Sequence, residues 1–158
     1  MSSNVFYRHP KLPGLELRYG HDNRACYGLH THSEYSLGAV LEGVSDYCYC
    51  KQHYTIRRGH SVLIAPNMPH ACNLSEVSDN GMWRYLMLYI SVDYWQQLAD
   101  SGMVAIDGNP SGDMKLFNAI KQLHNVWRDE PNDALAIESA WVDCFQLLPQ
   151  TANAFSYG

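Results

Sequence analysis

The run MWRYLMLYISV at residues 82–92 is the feature that most constrains the fold, because it is apolar on both faces. Alternate residues of a strand point to opposite sides, so a strand of this composition has to be covered on both sides. It predicts a central strand or the wall of a barrel. The residues before this run support the prediction. Candidate strands recur there roughly every 8 to 12 residues from residue 12 onward, separated by glycine, proline and asparagine. This spacing is typical of a sandwich or a barrel.

Shorter segments ahead of this run also have the composition of strands. Those at 45–51 and 53–59 are rich in tyrosine, isoleucine and threonine, and they predict a hairpin. The predicted strands are 15–19, 24–30, 35–43, 45–51, 53–59, 60–66, 67–74 and 82–92.

The rest of the chain has helical periodicity. Helices are predicted over 93–100, with Asp93 as N-cap, over 114–129, with Asp113 as N-cap, and over 131–150, which begins with Pro-Asn-Asp. The last two carry wide apolar stripes and are joined by a few residues, which predicts an antiparallel pair. Two interpretations of the stripes stay open: they pack on the barrel, or they form a subunit interface.

Composition excludes several classes of protein. The 158 residues fit one domain, and the net charge of −5 without a block of lysine or arginine argues against a nucleic-acid surface. No apolar run approaches the roughly 18 residues of a membrane helix, and the N-terminus has no apolar signal segment. Five cysteines without a signal peptide indicate free thiols in a reducing cytosol. We therefore expect a cytoplasmic protein with no membrane partner.

Four polar residues alternate just before the strand at 35–43. His30, His32, Glu34 and Ser36 share one face if this segment is extended. Imidazoles and a carboxylate are good ligands for a divalent first-row metal. His70, about 40 residues further along, is placed to approach the same face from a neighbouring strand.

The His-x-His pair at 30–32, followed by Gly43, Gly59, Pro66 and His70, resembles the two-part motif of the cupin barrels. In metal-binding cupins, a glutamate stands four residues after the second histidine, whereas this chain has Ser36 there and Glu34 two residues early. Asn67 replaces the glycine of the second motif's turn and tolerates a positive φ. The missing carboxylate argues against a bound metal. We therefore expect no cofactor; the alternative is a divalent metal held by His30, His32, Glu34 and His70.

Three longer segments resemble the N-terminal sensing and dimerisation domain of AraC-type transcription regulators. They are HTHSEYSLGAVLEGV, YTIRRGHSVLIAPNMPHACN and WRYLMLYISVDYWQQL, and the helical pair follows them in the expected order. The resemblance covers roughly residues 10–150 and implies a mainly β chain, with a cupin-like (double-stranded β-helix, or jelly-roll) barrel followed by an antiparallel helical pair. It implies an N-terminal arm at 1–11, the barrel at 12–92, a helical dimerisation subdomain at 93–150 and the start of a linker at 151–158. The family's DNA-binding domain of two helix-turn-helix motifs is expected to lie outside this chain.

This resemblance also implies a function. The domain would bind a small polar effector (a sugar, an amino acid or a small acid) in the barrel, form a homodimer, and contact DNA only through the missing domain. It would not be an enzyme. Two alternatives stay open. One is a metal-dependent cupin oxygenase or isomerase that uses His30, His32 and His70. The other is a barrel with a filled interior that only dimerises.

The alternation of side chains along the strand predicted at 82–92 indicates which of them would contact an effector. Tyrosine and tryptophan offer stacking area and a polar group, so the face that carries them is expected to line the cavity. Histidines and a cysteine on facing strands would complete it, and an arginine on the first strand would pair with a ligand carboxylate, unless it is simply exposed. The predicted ligand-binding residues are Arg18, His30, His32, His70, Cys72, Trp83, Tyr85, Met87 and Tyr89.

Overall fold

The computed structural model describes residues 3–22, 32–75, 82–99 and 106–149. Within them the chain forms strands first and helices afterwards. The strands are β1 (Ser3–Tyr7), β2 (Leu15–Asp22), β3 (Tyr35–Glu42), β4 (Val44–Tyr49), β5 (Gln52–Arg57), β6 (Ser61–Ile64), β7 (His70–Leu74) and β8 (Trp83–Ile90). The helices are α1 (Val92–Ala99), α2 (Met114–Asp129) and α3 (Ala134–Gln146).

The strands form two antiparallel sheets. The larger has the order β1-β2-β8-β3-β6, and the smaller has the order β5-β4-β7. An apolar cluster with members from both sheets, among them Val40, Tyr47, Ile56 and Tyr85, shows that the sheets face each other. The predicted class, mainly β with C-terminal helices, is confirmed.

Strand β8 lies in the middle of the larger sheet, as its two apolar faces predicted. It pairs with β2 on one side and β3 on the other. Leu86, Leu88 and Ile90 are completely buried in the cluster that contains the helices, whereas Trp83 and Tyr85 belong to the cluster between the sheets. One strand therefore separates two apolar layers.

The helical layer covers the outer face of the larger sheet. Asp113 caps α2 by accepting a hydrogen bond from the backbone N of Lys115 at 2.9 Å, as predicted. The expected N-cap role of Asp93 is wrong, because α1 begins at Val92 and the Ser91 hydroxyl accepts from the backbone N of Tyr94 at 3.2 Å. Helices α2 and α3 pack together and are joined only by residues 130–133, which makes them an antiparallel pair.

The N-terminal residues are part of the sheet. Residues 3–7, within the segment expected to form an arm, pair as β1 with β2 from Ser3↔His21 to Tyr7↔Leu17. Just after β1, Arg8 Nε donates to a Glu16 carboxylate oxygen at 2.7 Å. Residues 3–8 are thus tied to β2, by backbone pairing along β1 and by the side chain of Arg8.

Two turns have the backbone that their positions require. Asn67 has φ of +64°, which confirms that it replaces the glycine of that turn. Strands β4 and β5 form the predicted hairpin, and its two turn residues, Cys50 and Lys51, both have positive φ, as a type I′ turn requires.

Two predictions fall on residues that the structure does not describe: the strand at 24–30 and the linker at 151–158. Among the described residues, none of the helices combines the length and the apolar character needed to cross a membrane.

Candidate functional site

A cavity of about 530 Å³ lies between the two sheets. Both sheets contribute to its wall, and most of the wall is apolar or aromatic. Its lining residues are Arg18, His32, Ser36, Gly38, Ala39, Val40, Ile56, His60, Val62, His70, Cys72, Trp83, Tyr85, Leu86, Met87 and Tyr89. We refer to it as the main cavity.

The strand register explains how these side chains meet. Arg18 of β2 is opposite Met87 of β8, Met87 is opposite Gly38 of β3, and Gly38 is opposite Val62 of β6. Directly opposed residues of neighbouring strands share one face of a sheet. Four strands therefore place these residues in one row across the cavity floor.

A second row lies two residues further along β8, beside Tyr89. Tyr89 is opposite Glu16 on β2 and Ser36 on β3, and Ser36 is opposite Ile64 on β6. Tyr85, two residues before Met87, faces the cavity in the same way beside Gly20. The alternation along β8 is thus the one that its sequence predicted.

All of the predicted ligand-binding residues except His30 line the main cavity, and His30 lies outside the described residues. Their contact with a ligand stays a prediction. Sequence reasoning missed much of the wall. Alternation along residues 36–40 and 61–64 could have found part of it, once β3 and β6 were paired. The missed residues are Ser36, Gly38, Ala39, Val40, Ile56, His60, Val62 and Leu86.

Arg18 contributes a positive charge to this wall and is held by its neighbours. Its Nε and Nη2 atoms donate to the Asn4 side-chain oxygen at 3.3 Å each. The guanidinium carbon lies 5.5 Å from the ring centre of Tyr85 and 5.8 Å from that of Phe6. Strand β1, which carries Asn4 and Phe6, therefore fixes the orientation of Arg18.

Two imidazoles meet at one end of the cavity. The rings of His32 and His70 are 5.2 Å apart, and His32 packs edge to face on Tyr89 at 5.5 Å. His70 is buried, and its Nδ1 lies 2.8 Å from the backbone oxygen of Met68. A carbonyl oxygen only accepts, so Nδ1 carries a proton and donates.

Two polar atoms of the wall are buried without a partner. The hydroxyl oxygen of Ser36 and the indole nitrogen of Trp83 make no hydrogen bond within the described part of the chain. Such atoms are rare in folded proteins because leaving them unpaired is costly. Both belong to residues that line the main cavity.

Two titratable groups of the wall, the Cys72 thiol and the Tyr89 phenol, are held in their neutral forms. Burial raises the pKa of the Cys72 thiol to about 12, which makes it a poor nucleophile and a poor metal ligand at neutral pH. Burial also raises the pKa of the Tyr89 phenol; Glu16 and Glu34 raise it further, and the charge and hydrogen bond of Arg18 oppose them.

A second cavity, of about 350 Å³, adjoins the first. The two share His32 and Tyr89. Glu34, the carboxylate considered as a fourth metal ligand, lines this second cavity and not the main one. The lining residues of the second cavity are Phe6, Pro13, Gly14, Leu15, Glu16, His32, Glu34, Tyr89 and Ser91.

The described residues do not fit a complete metal site. Ser36 occupies the position at which metal-binding cupins carry the glutamate, and its hydroxyl is buried. Within ranges 3–22, 32–75, 82–99 and 106–149, no group of three or more histidine, cysteine, aspartate or glutamate side chains is arranged to hold a metal. His32 and His70 alone do not complete the coordination of a divalent ion.

The model of one protein family, described as the AraC-like ligand binding domain, matches residues 12–143. A comparison with curated proteins finds no match to the chain. Among solved structures, a cupin protein from Bacteroides fragilis is similar at 17% identity and a TM-score of 0.48, over 57% of this chain and 77% of that one. A cupin 2 conserved barrel domain protein from Leptotrichia buccalis is similar at 20% identity and a TM-score of 0.47, over 58% of this chain and 40% of that one. The family match and the two facing sheets confirm the cupin-like barrel followed by helices.

Proposed function

This chain belongs to the AraC-like ligand-binding domain family, and from that premise we propose that it is the effector-sensing domain of a transcription regulator. The observation that carries the proposal is the main cavity, a preformed and largely apolar space with a few converging polar groups. Binding sites for small molecules have this character. The effector is expected to be a sugar, an amino acid, a small acid or another metabolite of similar size.

The position of β8 supports a sensing role. Its inner side chains Tyr85 and Met87 line the cavity, and its outer side chains Leu88 and Ile90 pack in the cluster that contains the helices. A guest that moves this strand therefore also acts on the helical layer. Signalling requires that the effector binds one arrangement of the domain more tightly than another.

In this proposal the domain works as a homodimer in the cytoplasm and controls an attached helix-turn-helix DNA-binding domain. The described cysteines Cys48, Cys50, Cys72 and Cys144 are free thiols, which agrees with a reducing compartment. The helical pair and an edge of a sheet are the two candidate dimer surfaces.

A thermal-shift screen tests the proposal directly. The panel contains monosaccharides, amino acids, small carboxylic acids, and aromatic amines and alcohols. A ligand present at 100 times its Kd stabilises the domain by about 2.7 kcal/mol. For a domain of this size we expect that to raise the Tm by roughly 5 to 10 °C. Calorimetric titration then gives the stoichiometry, with one site per chain expected. A panel without any effect on the Tm would contradict the proposal.

The contact between His32 and His70 is the one observation that favours a metal-dependent enzyme instead. We expect protein purified without chelator to hold well under one metal ion per chain, because the described residues lack a third ligand. Elemental analysis of the wild type and of the His32→Ala/His70→Ala double variant measures this. A stoichiometric metal that is lost in the double variant would favour the enzyme.

A further inference from the structure

The junction between the two cavities is formed by aromatic rings. His32 and Tyr89 line both cavities, and their rings meet edge to face at 5.5 Å. A guest longer than the main cavity would therefore extend past these two rings into the second. The chemistry of the second cavity then decides which group the guest carries at that end.

The second cavity is lined by two carboxylates with different surroundings. Glu16 is neutralised by Arg8, whose Nε lies 2.7 Å from a carboxylate oxygen. Glu34 is half-buried and has neither an ion pair nor a hydrogen bond within the described residues. A carboxylate that is partly withdrawn from water and lacks a partner attracts a cation.

A second observation points to a guest at the same place. Ser36 lies opposite Tyr89 in the sheet register, is 1% exposed and lines the main cavity. Its hydroxyl oxygen has no hydrogen-bond partner among the described residues. A guest that passes between the cavities would run beside this hydroxyl.

Arg18 determines which way such a guest would lie. Its guanidinium sits beside the ring of Tyr85 and borders the main cavity. A cationic group in the main cavity would be repelled by it, whereas a cation beside Glu34 would be attracted. The pKa of Tyr89 reflects both signs of charge, because Arg18 lowers it and Glu16 and Glu34 raise it, so the junction lies between the cation of the main cavity and the carboxylates of the second.

We infer that the effector is an amphipathic amine, with its apolar body in the main cavity and its ammonium group beside Glu34 in the second. This inference rests on the proposed sensing function and specifies its ligand. The apolar wall around Gly38, Val40 and Val62 would hold the body, and the Glu34 carboxylate would accept hydrogen bonds from the ammonium group.

Calorimetric titration with three probes of one shape tests the inference: 4-phenylbutylamine, 4-phenyl-1-butanol and 4-phenylbutyrate. We expect the wild type to bind the amine about fivefold to tenfold more tightly than the alcohol, and the butyrate most weakly. The preference for the amine should shrink between roughly 0.05 M and 1 M salt, because the charges are only partly buried. The Glu34→Gln variant should bind the amine and the alcohol equally.

Glu42→Gln is the matched control. Glu42 is also half-buried and lies on β3, but it pairs with Arg84 and lines neither cavity. This variant should keep the wild-type preference for the amine. A preference that survives in Glu34→Gln, or tightest binding of the butyrate, overturns the amine inference and leaves the sensing function intact. If neither these probes nor the wider panel bind, the sensing function fails as well.

Discussion

Replacing Gly38 by leucine is expected to weaken binding in the main cavity by at least about 100-fold while the domain stays folded. Gly38 lies in the middle row of the cavity floor, between Met87 and Val62. A Cβ atom added there would approach the Met87 Cε at 2.9 Å and a Val62 methyl at 3.3 Å, both of which line the cavity. The leucine side chain would therefore occupy the space intended for the guest.

The cost to folding should be small. The closest neighbour of the new Cβ is the end of a flexible methionine side chain, which can move aside. Leucine also suits a strand interior better than glycine does. We expect the free energy of unfolding to change by no more than about 1 to 2 kcal/mol. Urea denaturation measures this, and titration with any ligand found in the screen measures the affinity.

Gly112→Leu is the control for this experiment, because nothing lies within 4 Å of a Cβ added there. It should leave both affinity and stability unchanged. If Gly38→Leu folds and binds as the wild type does, the guest does not bind in the main cavity. A ligand site would then have to be sought elsewhere on the domain.

Local signals in the sequence predicted much of the fold. The central place of β8 followed from its two apolar faces, and the start of α2 followed from Asp113. The turn at Asn67 followed from the tolerance of asparagine for positive φ. Each of these features depends on residues that are close together in the chain.

The cavity floor could be predicted only in part, because it depends on register between distant strands. The alternation of side chains along β8 predicted that Met87 faces the cavity. Its neighbours Gly38 and Val62 are determined by the pairing of β8 with β3 and of β3 with β6. Tyr85 similarly lies against Gly20, which only the pairing with β2 reveals. Short-range periodicity carries no information about these pairings.

The face considered as an alternative metal site shows a different limit. The alternation rule holds only within a strand, and β3 begins at Tyr35. His32 and Glu34 precede it, so they are not bound to share a face with Ser36. Glu34 lines only the second cavity, although its spacing from Ser36 suggested otherwise, whereas His32 lines both cavities. Metal-binding cupins carry their glutamate at the position of Ser36, and this chain carries Glu34 instead. In the inference above, that carboxylate binds the ammonium group of the ligand.

Replacing Trp141 by alanine is expected to reduce the free energy of unfolding by about 3 to 5 kcal/mol. Trp141 is completely buried in α3 and packs on Trp95 of α1 and Phe145, with ring centres 6.1 and 5.8 Å away. Its ring joins two helices to the cluster on the outer face of the larger sheet. A loss of this size is a large share of the roughly 5 to 15 kcal/mol that stabilises a typical domain.

Trp141→Phe should cost much less, and comparison with Trp141→Ala measures what an aromatic ring contributes at this position. The Trp141 indole nitrogen is buried and has no hydrogen-bond partner among the residues described. Phenylalanine keeps an aromatic ring and removes that unpaired donor, so part of the lost packing is offset. We expect a loss of about 1 to 2 kcal/mol by urea denaturation. Leu135→Ala, on the same helix at a residue that is 78% exposed, should change stability by less than about 0.5 kcal/mol. Equal losses for the alanine and phenylalanine variants of Trp141 would contradict the expectation that a single aromatic ring at this position retains most of the packing.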